Sequence, residues 1–458
     1  VATGVRVTQR RVILGAALIW FLIYAYPGYI GWDTEAHLMQ ARQGIYSDAH
    51  PPILPALWRV CEVFVHGPLL MLLIQASALL VGLDRLFRQL LAERPAAIAT
   101  ACVFVFPPVA GVTAIVIKDA MMAGFLVLGI AALGERKLRP ALMWMLVAST
   151  MRWNALCVTW PLLVALWPLG TTRVRRVAQA TAAWLAITLA SFAINAALVD
   201  VPAHMWYGTH AYMDIAGTVD QLDIDDDDAV KQLIAGVPIA GDGNYLADRI
   251  RATYDPADYR QLAWGPDRLF NKPAGAVQRA AVAEAWKRVV FGHPWEYLRY
   301  RWDNFKNLLR IDKQHEFAHV YVWFTVIAVP ESKVRLMHDA TASRVQGVMQ
   351  TCALWLSNSP VYWPWIYFLV AVAGLIAWRR ETMIAALLAS GLLYECAWFV
   401  LNPTGDFRYS QWMILTVAIA VAWRIGRSAG PRTLIAKHYS KTSSSPSAQR
   451  DTSQTTMA

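Results

Sequence analysis

Residues 12–30 read VILGAALIWFLIYAYPGYI, and residues 31–52 continue as GWDTEAHLMQARQGIYSDAHPP. The first stretch is apolar and long enough to span a bilayer, and Arg6, Arg10 and Arg11 precede it. The second packs Asp33, Glu35, His37, Asp48 and His50 directly against the end of that run. Ionisable groups gathered beside a membrane span mark a candidate site. The plainer reading is a solvated loop in which Asp33 and Glu35 open a short helix. The run ends in aromatics, as at a membrane boundary, with no small-residue cleavage site after it, so it reads as a retained span rather than a signal peptide.

The rest of the composition agrees with a membrane setting. With 458 residues, 57% hydrophobic and only 16% charged, the chain is too apolar for a soluble globular protein of its size and reads as an all-α polytopic membrane protein. Its net charge of +10 resides in short Lys/Arg clusters between apolar runs, which is how orientation signals are distributed, so no nucleic-acid partner is expected. Five cysteines without a CxxC or a His/Cys ligand spacing support neither a disulfide framework nor a zinc site.

Orientation follows from the basic clusters. Spans are expected at 12–30, 68–83, 96–116, 120–134, 140–151, 154–170, 178–199, 361–378, 382–401 and 410–423, about ten in all, with both termini inside. Residues 53–66 are too short and too charged to span, and read as interfacial within a first outer loop over 31–66. Residues 201–360 have the composition of a mainly helical, water-facing outer domain between an N-terminal membrane module (1–200) and the last spans (361–427). Within that domain, 276–310 reads as two helices, the second started by Pro294. The run at 319–330 is short for a span; paired with part of 344–359 as a hairpin it would raise the count to twelve. The polar tail over 428–458 is expected to be disordered. The acidic run Asp223 to Asp228 departs from the calcium-loop spacing and reads as a solvated loop.

These orientations, taken from charge and run length alone, put Asp33, Glu35, His37, His50, Lys118, Asp119, Arg152, Asp406 and Arg408 on one face. Burying Lys118 and Asp119 at mid-bilayer would cost roughly 5 to 7 kcal/mol, which places them at the outer boundary or in a wet cavity. Carboxylates and cations gathered there suit a transfer in which a carboxylate accepts the proton of an acceptor hydroxyl and cations neutralise a departing phosphate. Asp33 is then the candidate base and Glu35 a second carboxylate. Lys118, Arg152 and Arg408 are candidate phosphate ligands. The remaining four residues would line the substrate site, and a carboxylate beside a histidine could hold a divalent cation. Each has a quieter reading: a local Lys118–Asp119 pair closing a hairpin, Arg152 snorkelling at a span end, and Asp406 pairing with Arg408 across a turn.

The pattern also resembles a known family. A first span followed by an early acidic pair and His50-Pro51-Pro52-Ile53-Leu54-Pro55, an outer Lys118-Asp119, a W-x6-HP-x2-YLR segment (Trp286, His293, Pro294, Tyr297, Leu298) and a late Phe407-Arg408-Tyr409 are similar to the polytopic C-type (GT-C) glycosyltransferases. Those include bacterial relatives of protein mannosyltransferases and the lipid A aminoarabinose transferases. The resemblance implies a GT-C-like bundle of 10–12 spans in a bacterial inner membrane and a polyprenyl-phosphate sugar donor. It also implies an extracytoplasmic acceptor, inversion at the anomeric carbon, and Asp33 at the catalytic position. Here Asp-Thr-Glu stands where many relatives have adjacent acids. A flippase for lipid-linked sugars and a surface-glycan ligase or polymerase are the alternatives.

Overall fold

The computed structural model describes residues 2–168, 170, 172–311 and 343–429. The expected run at 319–330, its hairpin and the tail from 430 onward lie outside the described residues. Among the described residues every regular element is a helix, and extended segments meet only in isolated bridges.

The first half of the chain forms α1 (Ala2–Ala25), α2 (Trp32–Gln43), α3 (Ile53–Phe64), α4 (Leu69–Leu90), α5 (Glu93–Phe104), α6 (Pro107–Ala114), α7 (Lys118–Gly134), α8 (Leu138–Met151), α9 (Ala155–Leu166) and α10 (Arg173–Leu198). Short elements follow: α11 (Met205–Gly208), α12 (His210–Leu222), α13 (Asp227–Leu233), α14 (Leu246–Thr253) and α15 (Arg260–Ala263). The longer pair α16 (Gly275–Gly292) and α17 (Pro294–Leu308) comes next, with Pro294 at the first turn of α17 as read from sequence. The chain closes with α18 (Arg344–Ser357), α19 (Pro364–Ala377), α20 (Thr382–Leu401) and α21 (Gln411–Ala429).

By length and hydropathy, α4, α10 and α20 can each cross a membrane, and the bent pair α5–α6 would make a fourth span. Other expected runs form shorter helices, such as the 17 residues of α7 and the 14 of α8. The expected straight span over 96–116 is a correction. It breaks between α5 and α6 with a bend of 62°, because Pro107 cannot donate into the preceding helix and disfavours helical backbone at Phe106, whose ψ is 123°.

At the centre lies α7, buried on every side from Lys118 to Leu133, as its uniformly apolar sequence requires. It packs most closely on α4. The approach depends on two glycines: a Cβ on Gly82 would come within 3.0 Å of the Leu128 backbone nitrogen, and one on Gly124 within 3.1 Å of the Gln75 carbonyl oxygen. Small residues at such crossings let two backbones meet. A second apolar core, built by α12, α13, α14, α15 and α16, includes Tyr212, Ile215, Leu262, Phe270 and Val289. The segment 402–410 ties it to the first: Gly405 N–H donates to the Ala257 carbonyl at 2.9 Å, and Arg301 Nη1 donates to the Asn402 carbonyl at 3.0 Å.

Charges sort by end. Arg10 pairs with Asp84, Arg85 with Glu135, and Arg427 with Glu381. All of these were assigned to one face by the basic clusters. No ion pair among the described residues joins them to the residues assigned to the other.

Replacing Gly124 with leucine should therefore wedge α7 from α4, at a cost of about 1–3 kcal/mol or more. The check is thermal unfolding of the purified protein in detergent. Gly15→Leu, where a Cβ meets nothing within 4 Å, should leave the midpoint unchanged.

Candidate functional site

The site begins where a helix is interrupted. Between α6 and α7, residues 115–117 are extended, and Tyr29 bridges to Ile115: Tyr29 N–H donates to the Ala114 carbonyl at 2.8 Å, and Val116 N–H to the Tyr29 carbonyl at 3.2 Å. Gln75 Nε2 donates to the carbonyls of Thr113 and Ile115, both at 2.6 Å, and the Thr34 hydroxyl donates to the Val116 carbonyl at 2.9 Å. Buried backbone that leaves a helix must find such partners. This register sets the start of α2 against the start of α7, and so brings Asp33 to Lys118.

Lys118 Nζ donates to Asp33 Oδ2 at 2.7 Å, and Arg408 Nη1 reaches the same oxygen at 2.8 Å. His50 stands on the other side. Its Nδ1 is 3.2 Å from Lys118 Nζ, and its Nε2 is 3.5 Å from Asp33 Oδ1. An ammonium has only protons to give, so Nδ1 is the acceptor and the ring proton sits on Nε2, facing Asp33. His37 lies one helical turn after Asp33 on α2, fully buried, its ring edge-to-face with His50 at 5.1 Å. Neither ring nitrogen of His37 has a hydrogen-bond partner among the described residues.

Burial alone would raise the pKa of the Asp33 carboxyl, but Arg408 and then Lys118 and His50 outweigh it and hold the group well below the usual carboxylate range. Burial pushes both histidines down, reinforced at His37 by His50 and Lys118 and at His50 by Lys118, which leaves the imidazoles neutral at pH 7. Asp33 keeps 21% of its side-chain surface accessible, whereas Lys118 and Arg408 are nearly enclosed. Asp33 and His50, at 21% and 25%, are thus the partly accessible members of an otherwise buried cluster. Asp33 also sits in the first turn of α2, where the helix dipole favours an anion; Lys118 opens α7, where the dipole disfavours a cation. Asp33 offsets that penalty.

Lys118 and Asp119 are neighbours but point into different clusters. Asp119 pairs with Arg152, and both are almost fully buried. Arg152 Nε donates to Asn154 Oδ1 at 2.9 Å, and its guanidinium lies 5.0 Å from the Trp398 ring and 5.1 Å from the Tyr409 ring. Arg408 approaches Tyr409 at 5.4 Å. Tyr409, stacked on Trp398 at 4.1 Å, is the partition between the clusters. The local Lys118–Asp119 pair and the snorkelling Arg152 are therefore corrected: burial makes each charge take a partner from a distant segment. The Asp406–Arg408 pair does form, at 2.7 Å, and Asp406 also accepts from the Arg408 N–H at 3.1 Å. It aims Arg408 at Asp33.

Glu35 lies on α2 two residues beyond Asp33, about 200° around the helix, and is buried on that other side. The sequence reading missed Trp398, Asn154 and Tyr259; the last is half-buried where the charges of Asp33 and Arg408 reach it. An aromatic inside an apolar run carries no signal separating it from a lipid-facing one. In the W-x6-HP-x2-YLR segment, Trp286 Nε1 donates to Asp214 Oδ2 at 2.7 Å, and Asp214 in turn pairs with buried Arg301. Tyr297 lies under the Arg301 guanidinium. These residues brace Arg301 and, through Asn402, the segment bearing Arg408; they do not touch Asp33. No group of three or more His, Cys, Asp or Glu side chains among the described residues could hold a metal ion. The Asp223–Asp228 run is exposed, with Asp226 capping α13 and Arg251 bridging Asp223 and Asp225.

No protein-family model, curated protein or solved structure matches the chain.

The Arg152–Asp119 pair supplies a stability test. Removing one partner, as in Asp119→Asn or Arg152→Met, strands a buried charge and should cost about 3–5 kcal/mol. Asp119→Leu combined with Arg152→Met should cost less than either single change. Denaturant unfolding of the three variants in detergent measures the difference.

Proposed function

We propose that the chain is a polytopic membrane glycosyltransferase of GT-C-like architecture, with ten to twelve spans. It transfers a sugar from a polyprenyl-phosphate donor to an acceptor hydroxyl on the extracytoplasmic face. The observation that carries this reading is the convergence of Lys118 and Arg408 on the partly exposed carboxylate of Asp33. It joins a proton acceptor and two phosphate ligands within one ion-pair distance, from segments more than 350 residues apart at their extremes.

In the reaction, the acceptor oxygen attacks the anomeric carbon as the bond from that carbon to the phosphate oxygen breaks. The phosphate leaves with the electron pair and the acceptor proton passes to Asp33. In the unliganded protein Asp33 is a poor base, because two cations stabilise its charge. The donor phosphate is a better partner for those cations, Arg408 engaging two of its oxygens. As they turn toward it, the carboxylate recovers basicity beside the acceptor. His50, half-buried, and His37, fully buried, wall the carboxylate as neutral rings without adding charge. In this reading the outer loop, α3 and the α12–α17 segment would bound the acceptor's approach.

Competition between Asp33 and phosphate for the same cations gives a two-sided prediction. Asp33→Asn should lower transfer by about 10²–10⁴-fold, the range of a lost general base, yet bind polyprenyl phosphate more tightly than the native protein. Transfer assays with purified protein in lipid and direct binding of the lipid phosphate read the two effects separately. Unchanged transfer removes Asp33 from its role.

Arg408→Gln should instead weaken lipid-phosphate binding, raising KM for the donor at least as much as it lowers kcat. Analysis of the released lipid then separates this reading from a ligase: a monophosphate supports it, a pyrophosphate argues against it. Movement of the donor across vesicles without covalent transfer would make the chain a flippase.

A further inference from the structure

Helix α17 has two apolar faces, and only one is packed. Tyr300, Arg301, Asn304, Phe305 and Leu308 are buried against the rest of the protein. On the opposite side Trp295, Leu298 and Trp302 are exposed at i, i+3 and i+7. Trp295 keeps 77% of its surface accessible. Single exposed apolar residues are ordinary; three at helical spacing on one side, two of them tryptophan, form a face that seeks a partner.

The neighbourhood identifies that partner. Trp302 lies 6.3 Å from Phe305, and Phe305 lies 5.9 Å from Phe399 on α20. Beyond Phe399, Val400 and Leu401 at the end of α20 are themselves exposed, and α20 is one of the helices long and apolar enough to cross a membrane. The stripe is therefore continuous with the outward side of a candidate span, at the end of that span which bears Asn402 and the site segment. Arg299, exposed between Leu298 and Trp302, forms no ion pair or hydrogen bond among the described residues. Tryptophan at the headgroup level with an arginine free to reach lipid phosphate is the composition of an interfacial helix.

We propose that the Trp295, Leu298, Trp302 face of α17 lies in the headgroup region of the bilayer on the side of the Asp33 site, and holds the α12–α17 domain down onto the lipid. Through Arg301 and Asn402 the same helix braces the segment carrying Arg408, so the seat of the domain and the site share one support. The proposal stands apart from the chemistry: it would hold for a transferase or a transporter.

The test uses the full chain reconstituted in vesicles of phosphatidylcholine and phosphatidylglycerol. Trp295→Cys, Leu298→Cys and Trp302→Cys, each in a background with the five native cysteines replaced, carry a nitroxide whose collisions with oxygen and with a water-soluble nickel chelate are measured. A label at Lys287, an exposed position on α16, is the aqueous reference. The expected result is an oxygen-to-nickel accessibility ratio several-fold higher at 295, 298 and 302 than at 287. A ratio at all three equal to that at 287 would overturn the proposal. Dipolar broadening between labels of two molecules would overturn it in favour of a second copy covering the face.

Discussion

The Asp33 carboxylate between Lys118 and Arg408 is the contact on which the rest depends. An isolated charge withdrawn from water costs several kcal/mol, and removing one partner leaves that cost uncompensated. The burial cost of Lys118 and Arg408, both nearly enclosed, is offset by Asp33 and Asp406, which face them. The loop after α1, the start of α7 and the turn before α21 must therefore arrive together.

The scaffold meets this demand by spending regular helix where the charges are needed. Continuing α6 into α7 would have satisfied the backbone of residues 115–117 internally, but would have denied Tyr29 and Thr34 their partners and moved Asp33 out of register with Lys118. Instead Gln75, in the middle of α4, supplies the missing donors from its side chain. A buried glutamine in an apolar helix is costly unless bonded. Its presence is explained by the carbonyls it serves. The glycine contacts between α4 and α7 bring it within reach of them.

Much of this was legible in the sequence, and the reasons divide cleanly. Helix positions, the pairing of α16 with α17 and the convergence of charges on one end follow from composition and basic clusters, because desolvation cost is a property of residue type. Partner choice does not follow. Lys118-Asp119 and Asp406–Arg408 look alike as opposite charges within two positions of each other, yet the first pair diverges and the second holds. Successive residues on a helix project about 100° apart, whereas a short turn lets Asp406 and Arg408 share one face. The break at Pro107 was not anticipated: the proline pair lies inside a run whose apolar length alone set the expectation of one span. Trp398 and Tyr409, which separate the two ion-pair clusters, resemble any other interfacial aromatics until their rings are placed.

Charge balance gives the arrangement a direction under the proposed chemistry. Asp33, Asp406, Lys118 and Arg408 sum to zero, and Asp119 with Arg152 adds nothing, so the resting site is neutral. A phosphate entering it would bring negative charge that Lys118 and Arg408 can answer, and every increment of their attention to phosphate would be withdrawn from Asp33. Asp406 keeps its hold on Arg408 Nε while Nη1 changes partner, so the guanidinium pivots rather than departs. When the leaving group later carries its charge away, the cations return to Asp33 and favour release of the proton it has taken. One pair of cations would thus serve donor binding, leaving-group stabilisation and resetting of the base.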